Sequence, residues 1–236
     1  PFTVLVARAQ LSVDEAAVLA VAVAVELDER LQHLLIHLHG DPSRARLELG
    51  DLGGLLGDEH PGVACLGADE GPRRAAFVSL LGDGPWSRQV VAVHPSVLWA
   101  LQGDSAADPD LPVGAAVFPV ESGGAVGAGG VGGAGSPSAT RHTSLLVVGP
   151  DRVRRRQTAA RWVQAERVLV SEVPTDDVAW AAIVRDATLL GAAVVLQTDS
   201  PRAGMGRRWI ERTTHLAWVL ASPLPLPLDE LPDRPW

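Results

Sequence analysis

The C-terminal part of the chain alternates between apolar strand patterns and helical patterns. Strands are predicted at 145–148, 167–173, 192–196 and 216–220. The helices between them are predicted at 157–164, 176–190 and 208–213. Strands that alternate with helices build βαβ units, and these form a parallel sheet with helices on both faces. The predicted fold class is therefore α/β, with a parallel-sheet αβα sandwich in this part of the chain.

A low-complexity segment separates this sandwich from the N-terminal part. Residues 122–138 are nearly all Gly, Ala, Ser and Val. Such a composition cannot bury enough apolar surface to order the backbone, so it is typical of a flexible tether. We therefore predict one domain at 1–120, a Gly/Ser-rich linker at 121–142 and a second domain at 143–236.

The N-terminal domain is predicted to contain three short helices followed by a strand-bearing segment. Ser12 and Glu15 fit a capping box at the start of the first helix. The second helix carries an apolar stripe at the spacing i, i+3, i+4 and i+7, formed by Leu31, Leu34, Leu35 and Leu38. A Gly-interrupted helix at 47–56, a short helix or strand at 73–81 and a strand at 88–93 follow. This order favours a winged-helix-like α+β domain, and a generic small helical domain is the alternative.

The net charge, the length of the apolar runs and the cysteine content indicate which partners and which cellular compartment to expect. The net charge is −8, which argues against general affinity for nucleic acid or membrane surfaces. The longest apolar run, 16–25, is too short to span a bilayer. The single Cys65 excludes an intrachain disulfide and fits a reducing cytoplasm. We predict a cytoplasmic protein without a membrane partner, and the start at Pro1 without Met leads us to expect a fragment or a processed chain.

The segment at 145–163 has the layout of a phosphate-binding P-loop, because a strand leads through a Gly-led loop into a helix. The motif G-x-x-x-x-G-K-[ST] wraps phosphates with backbone N–H groups, reaches them with Lys and holds Mg²⁺ with a hydroxyl. Counting from Gly149, the last three motif positions are Arg154, Arg155 and Arg156. One reading is that Arg155 or Arg156 still contacts a phosphate. The other is that the arginines belong to a solvated helix start or to a face that pairs with an acidic neighbour.

The strand at the Walker B position also lacks its ligands. Residues 193–196 are followed by Gln197 and Thr198 instead of carboxylates, and Asp199 comes two places late. Without a carboxylate at the strand end, neither Mg²⁺ nor the attacking water is positioned. We therefore predict no catalytic residue, with Gly149, Arg155 and Asp199 only as positional counterparts of a nucleotide site.

Two features that could indicate other chemistry have simpler explanations. His33 and His37 lie one helical turn apart, but no HExxH motif or Cys pair accompanies them, so we predict a solvated face and no metal site. The helix expected to read DNA in a winged-helix domain carries Glu48 and Asp51, which phosphates would repel. Nucleic acid is therefore not expected as a partner.

These segments resemble a family of bacterial AAA+ ATPases that carry a winged-helix-like N-terminal region and are often found beside contractile injection systems. The resemblance depends on three segments: Glu26-Leu27-Asp28 followed by Leu31 and later by residues 41–46, then 145–163, and then 191–196. It implies that the chain is an N-terminal part with a degenerate first AAA module, and that a later module carries intact Walker motifs. ATP and Mg²⁺ would then bind in the parent protein and not in this chain.

We accordingly expect a non-hydrolysing module of an AAA+ ATPase that acts in the assembly or remodelling of a protein complex. Its expected partners are proteins, either through self-association or within a larger assembly. One alternative is a structural or adaptor component with no nucleotide role. Another is a winged-helix DNA-binding regulator, which the acidic helix disfavours. Whether the protein is an enzyme stays open, since an ATPase activity would belong to the parent protein.

Overall fold

A computed structural model describes residues 1–57, 61–104, 106–120, 144–163, 165–198, 206–227 and 231–234. The N-terminal half contains six α-helices and two strands within these ranges. They are α1 (Phe2–Ala9), α2 (Val13–Leu27), α3 (Glu29–His39), α4 (Leu49–Leu56), α5 (Gly71–Arg74), β1 (Val78–Leu81), β2 (Val90–Val93) and α6 (Pro95–Leu101). The C-terminal half alternates, with β3 (Ala116–Pro119), β4 (Ser144–Val148), α7 (Arg152–Trp162), β5 (Arg167–Glu172), α8 (Asp177–Leu190), β6 (Ala192–Gln197), α9 (Arg207–Arg212) and β7 (Trp218–Ser222).

The described chain forms two compact units. The first contains Pro1–Leu111 together with Asp177–Leu189, and the second contains Pro112–Asp176 together with Leu190–Trp236. This division differs from the predicted boundaries at 1–120 and 143–236. Strand β3 belongs to the second unit because it pairs with β5, and α8 is grouped with the first unit although it follows β5 in the chain. The predicted linker at 121–142 lies outside the described residues.

The first unit is built around the capped helix α2. The predicted capping box is confirmed, because Ser12 Oγ accepts a hydrogen bond from Glu15 N at 3.2 Å and Glu15 Oε2 accepts one from Ser12 N at 2.7 Å. Val18 and Leu19 are fully buried in the core of this unit. Strands β1 and β2 pair antiparallel, and Glu48 forms an isolated bridge with Val90 of β2.

Helix α3 differs from the predicted stripe. It ends at Gly40, whose φ of 65° places it in the left-handed region that favours glycine. Leu35 is buried in the core, whereas Leu34 and Leu38 are 46% and 63% exposed. Only a narrow part of the predicted apolar stripe, around Leu35, is buried against the rest of the unit. The remainder of the stripe is exposed.

The second unit contains a five-stranded sheet in the order β3-β5-β6-β7-β4. Its four C-terminal strands run parallel and only β3 is antiparallel. Strands β6 and β7 are buried at every residue, as expected for continuous apolar runs in a parallel sheet. Ala159 of α7 packs on Val147 of β4 and Val219 of β7. The predicted α/β class is thus confirmed at the level of a mixed fold with a mostly parallel sheet.

None of the helices in the described ranges combines the length and the apolar content that crossing a bilayer requires.

Candidate functional site

The loop between β4 and α7 is much shorter than a phosphate-binding loop needs to be. Only Gly149, Pro150 and Asp151 separate the strand from the helix, which begins at Arg152. Asp151 is the N-cap, and its Oδ1 accepts hydrogen bonds from Val153 N at 2.8 Å and from the next backbone N–H at 3.1 Å. A helix N-terminus attracts anions through these N–H groups. Here a carboxylate of the chain itself already accepts them.

Arg155 lies behind this loop with 3% of its surface exposed. Its Nη1 donates to Gly149 O at 2.6 Å and to Pro150 O at 3.3 Å. Its Nη2 donates to Gln197 Oε1 at 3.5 Å. Because Gly149 follows β4 and Gln197 ends β6, the guanidinium connects the carboxyl ends of two strands that β7 separates.

The structure brings together two of the three predicted site residues. Gly149 and Arg155 are in contact, whereas Asp199 lies outside the described residues. Gly149 is not in a left-handed conformation, and an added Cβ would meet only Arg155 Cγ at 4.0 Å. The loop therefore has no steric need for glycine of the kind that close approach to a phosphate imposes.

Arg154, Arg156 and Thr198, at the positions predicted for the Walker motifs, make contacts other than those of a nucleotide site. The Arg154 side chain is 86% exposed. The Arg156 guanidinium lies 5.3 Å from the centroid of the Phe118 ring, in a cation–π contact. Thr198 donates from both its N and its Oγ1 to Ala221 O, at 3.0 and 3.3 Å. Thr198, directly after β6, is thus neutral and already bonded within the sheet.

A second polar cluster, which the sequence did not reveal, lies in the first unit. It consists of His94, Ser96, Asp108, Asp110 and Arg185. Asp108 has a fully buried side chain, and its Oδ2 accepts from Ser96 Oγ at 2.7 Å and from Arg185 Nε at 2.5 Å. Its Oδ1 accepts from Asp110 N at 3.0 Å. Four of these residues lie within 94–110, but Arg185 is 77 positions from Asp108, so sequence spacing did not indicate the cluster.

The charges in this cluster compensate one another. Burial would raise the pKa of Asp108, but the hydrogen bonds from Arg185 and Ser96 hold the pKa below its ordinary value. Burial lowers the pKa of His94, and the nearby Arg185 lowers it further. Asp186 is 3% exposed, and burial together with the charge of Asp108 raises its pKa to about 6.

This cluster contains side chains of the types that bind metals, but its negative charge is already compensated by an arginine. Ligand atoms of His94, Asp108 and Asp110 lie within 4.8 Å of one another. However, the two oxygens of Asp108 already accept three hydrogen bonds, and Arg185 supplies the compensating positive charge. Ser96 is 3% exposed and cannot reach a substrate as a nucleophile. The arrangement is suited to holding the loop at 106–111 against α8 within this unit.

The histidines of α3 have local roles. His33 lies 3.8 Å from the carboxylate of Glu29 at the helix surface. His39 is the better held, with Nε2 2.8 Å from Asp51 Oδ1 and Nδ1 3.0 Å from Arg44 O. The hydrogen bond to Asp51, followed by the one to the Arg44 carbonyl, raises the pKa of His39. This imidazole therefore connects the end of α3 to the start of α4.

Comparisons of this chain with protein-family models, with curated proteins and with solved structures find no match.

Proposed function

We propose that the second unit is a P-loop NTPase-like module that no longer holds nucleotide and serves as a scaffold in the assembly or remodelling of a protein complex. Its strands lie in the order β4-β7-β6-β5, which is first, fourth, third and second along the chain. Strand β7 therefore lies between β4, which leads into Gly149, and β6, which ends at Gln197. This arrangement is typical of the AAA+ and RecA-like branch of P-loop proteins and supports the proposed ancestry.

The main support for a loss of nucleotide binding is the loop after β4, whose hydrogen-bonding groups are occupied by side chains of the chain itself. Asp151 occupies the N–H groups at the start of α7 with its own carboxylate. Arg155 donates to the loop carbonyls and to Gln197, so its guanidinium joins the two Walker positions. A bound phosphate would have to displace the carboxylate, which would bring two negative charges together at one helix end.

The first unit supports a winged-helix-like scaffold without a DNA-reading surface. Helices α3, α4 and α5 precede the β1–β2 pair, and the bridge between Glu48 and Val90 adds a third short strand position. In α5, Arg73 donates to Leu66 O at 3.1 Å and Arg74 donates to Ala9 O at 3.3 Å. These arginines stabilise the unit itself, which favours a protein-contact role over the DNA-binding alternative.

Calorimetric titration of the chain with Mg²⁺-ATP and with ADP tests the proposal. We expect no saturable heat up to about 1 mM nucleotide, the range in which even weak sites with free energies near 4 kcal/mol respond. Arg155→Ala and Arg161→Ala form a matched pair, because Arg161 lies on the exposed side of the same helix. Saturable, Mg²⁺-dependent binding that Arg155→Ala abolishes and Arg161→Ala retains would overturn the proposal.

The proposed scaffold role also predicts that nucleotide does not change the oligomeric state of the chain. Sedimentation velocity of the chain with and without Mg²⁺-ATP should give the same distribution of species. A change of mass on adding nucleotide would contradict a scaffold that acts without it, whatever the calorimetry shows.

A further inference from the structure

The last residue of α3, His39, has a hydrogen-bond acceptor at each of its two ring nitrogens. Nδ1 lies 3.0 Å from the carbonyl oxygen of Arg44, and Nε2 lies 2.8 Å from Oδ1 of Asp51. A backbone carbonyl and an ionised carboxylate can only accept hydrogen bonds, so both ring nitrogens must carry a proton to bond them. A neutral imidazole has one such proton, and either tautomer would direct a nitrogen lone pair at an oxygen. The geometry therefore favours the imidazolium form.

The charged groups that face His39 from the neighbouring elements also favour the imidazolium. Asp51 lies on α4, and Asp41 and Glu48 lie on the segment between the two helices. Arg44 on the same segment opposes them, but its guanidinium donates to both carboxylate oxygens of Glu48, at 2.8 and 2.5 Å. The His39 side chain is only 8% exposed, so water is poorly placed to replace a lost partner. The hydrogen bond to Asp51, followed by the one to the Arg44 carbonyl, raises the pKa of His39.

The segment 41–46, between α3 and α4, is otherwise held by a local turn and by ion pairs. The turn is closed by Arg44 N, which donates to Asp41 O at 3.1 Å. Arg46 makes an ion pair of 3.3 Å with a carboxylate of α2, but its side chain is 52% exposed, and exposed pairs contribute little. From Leu47 onward the chain is held by β2, whose backbone donates to Leu47 O at 2.8 Å. The imidazole is thus the contact that joins the backbone of this segment to α3.

We propose that His39 is a pH-sensitive latch, which holds segment 41–46 on the end of α3 while the ring carries two protons and releases it when the ring loses one. The bond to the Asp51 carboxylate is charge-assisted and is the stronger of the two, so a neutral ring keeps its proton on Nε2. The Nδ1 lone pair then faces the Arg44 carbonyl, and their repulsion opens that contact. Because the pKa of His39 is raised, the latch is closed at pH 6 and opens as pH rises through the raised value. The latch acts within the first unit and is independent of the proposed loss of nucleotide binding.

Nuclear magnetic resonance of the chain labelled with ¹⁵N and ¹³C tests the latch directly. Long-range ¹H–¹⁵N spectra report which ring nitrogens are protonated. His39 should carry a proton on both nitrogens at pH 6 and on Nε2 alone at pH 9. Relaxation at Cα atoms, which amide exchange with water does not affect, should give order parameters of about 0.85 for residues 43–46 at pH 6 and below about 0.6 at pH 9. Helix α2 should stay at about 0.85 at both pH values.

Asp51→Asn distinguishes a latch from a histidine with a purely structural role. The new amide can donate from the position of Oδ1 to Nε2 of a neutral ring, and its oxygen can still accept from Glu48 N, which donates to Oδ2 at 2.8 Å. A neutral ring protonated on Nδ1 then satisfies both partners, so residues 43–46 should stay ordered at pH 9. His39→Gln removes the titration and should give equal order at pH 6 and pH 9. The matched control is His33→Gln, at an exposed histidine of the same helix, which should keep the full response to pH.

Four results would overturn the inference. The first is a His39 ring with a single proton at pH 6, and the second is equal order of residues 43–46 at pH 6 and pH 9. Both are measured on the unchanged chain and do not depend on a variant folding. The third is a pH response that survives His39→Gln, which would place the titrating group elsewhere. The fourth is loss of order throughout α2 at pH 9, because the whole unit would then be unfolding and not one segment.

Discussion

Asp186 lies next to Asp108 of the buried polar cluster, and its ionisation permits a quantitative test of the electrostatics there. The residue is 3% exposed, its carboxylate accepts a hydrogen bond from the backbone N–H of Asp108, and its Oδ2 has no hydrogen-bond partner among the described residues. Burial, together with the negative charge of Asp108, disfavours ionisation and raises the pKa of Asp186 from 3.8 to about 6. Ionisation of Asp186 should therefore destabilise the folded chain.

The size and the pH range of this effect follow from linkage. Below pH 3.8 the carboxyl is protonated in both states and contributes no penalty. As pH rises through 3.8 the unfolded chain loses its proton first, and above about 6 the folded chain carries the full cost. At about 1.4 kcal/mol for each pKa unit, the difference corresponds to roughly 3 kcal/mol.

Asp186→Asn removes the titration and keeps an oxygen for the Asp108 N–H. Any cost of placing a buried amide is independent of pH, so the comparison uses only the change with pH. Urea unfolding between pH 4 and pH 8 should show the variant gaining up to about 3 kcal/mol relative to the unchanged chain. The control Asp177→Asn removes an exposed carboxylate from the same helix and should change stability by under about 1 kcal/mol. Parallel pH profiles for Asp186→Asn and the unchanged chain would refute the reasoning.

The remaining predictions concern single charged contacts. Asp108→Ala leaves Arg185 buried without its main partner and should lower the free energy of unfolding by about 3–5 kcal/mol, whereas Asp110→Ala, at a 43% exposed side chain, should cost under about 1 kcal/mol. The pKa of His39 is raised, so its stabilisation is complete below pH 6.5 and is lost as pH rises above that value. His39→Asn should therefore cost about 1 kcal/mol more in urea unfolding at pH 6 than at pH 9. Arg155→Met should lower the thermal midpoint by removing charged hydrogen bonds worth about 1.5–3 kcal/mol, and Arg154→Met, at an exposed side chain, should leave it within the error of calorimetry.

Most elements of the C-terminal half could be predicted from the sequence. Strands β5 and β6 begin at the predicted residues 167 and 192, because their continuous apolar runs have no other stable position than the centre of a sheet. The largest error is the start of α7, which begins at Arg152 and not near 157. Asp151 accounts for the difference, since its side chain caps the helix immediately after the loop.

The N-terminal half was predicted less completely. The segment 73–81, expected as a short helix or strand, divides into the end of α5 and β1. Between them Ala76 adopts a φ of 57°, a conformation that no local sequence signal indicates for alanine. Strand β3 was not expected at all, because its four residues are ordered by pairing with β5 and carry little signal of their own.

The candidate site shows the same division between local and distant information. The sequence identified Gly149 and Arg155 as positions where phosphate-binding chemistry is absent, but not what replaces it. Only the folded chain shows Arg155 donating to Gly149 and to Gln197, 42 residues away. The predicted counterpart Asp199 stays a prediction, as does the AAA+ resemblance.

By itself, the sequence determined the alternation of strands and helices, the capped start of α2, and the absence of P-loop motif residues at 154–156 and of carboxylates at 197–198. Each of these depends on residues within one or two helical turns, so periodicity and capping patterns suffice to recover them. The tertiary structure alone decided the strand order, the closing of the loop by Asp151 and Arg155, and the meeting of Asp108 with Arg185. Such contacts form only when burial and sheet pairing bring distant segments together, because their energies depend on desolvation at the final position and not on neighbours in the chain.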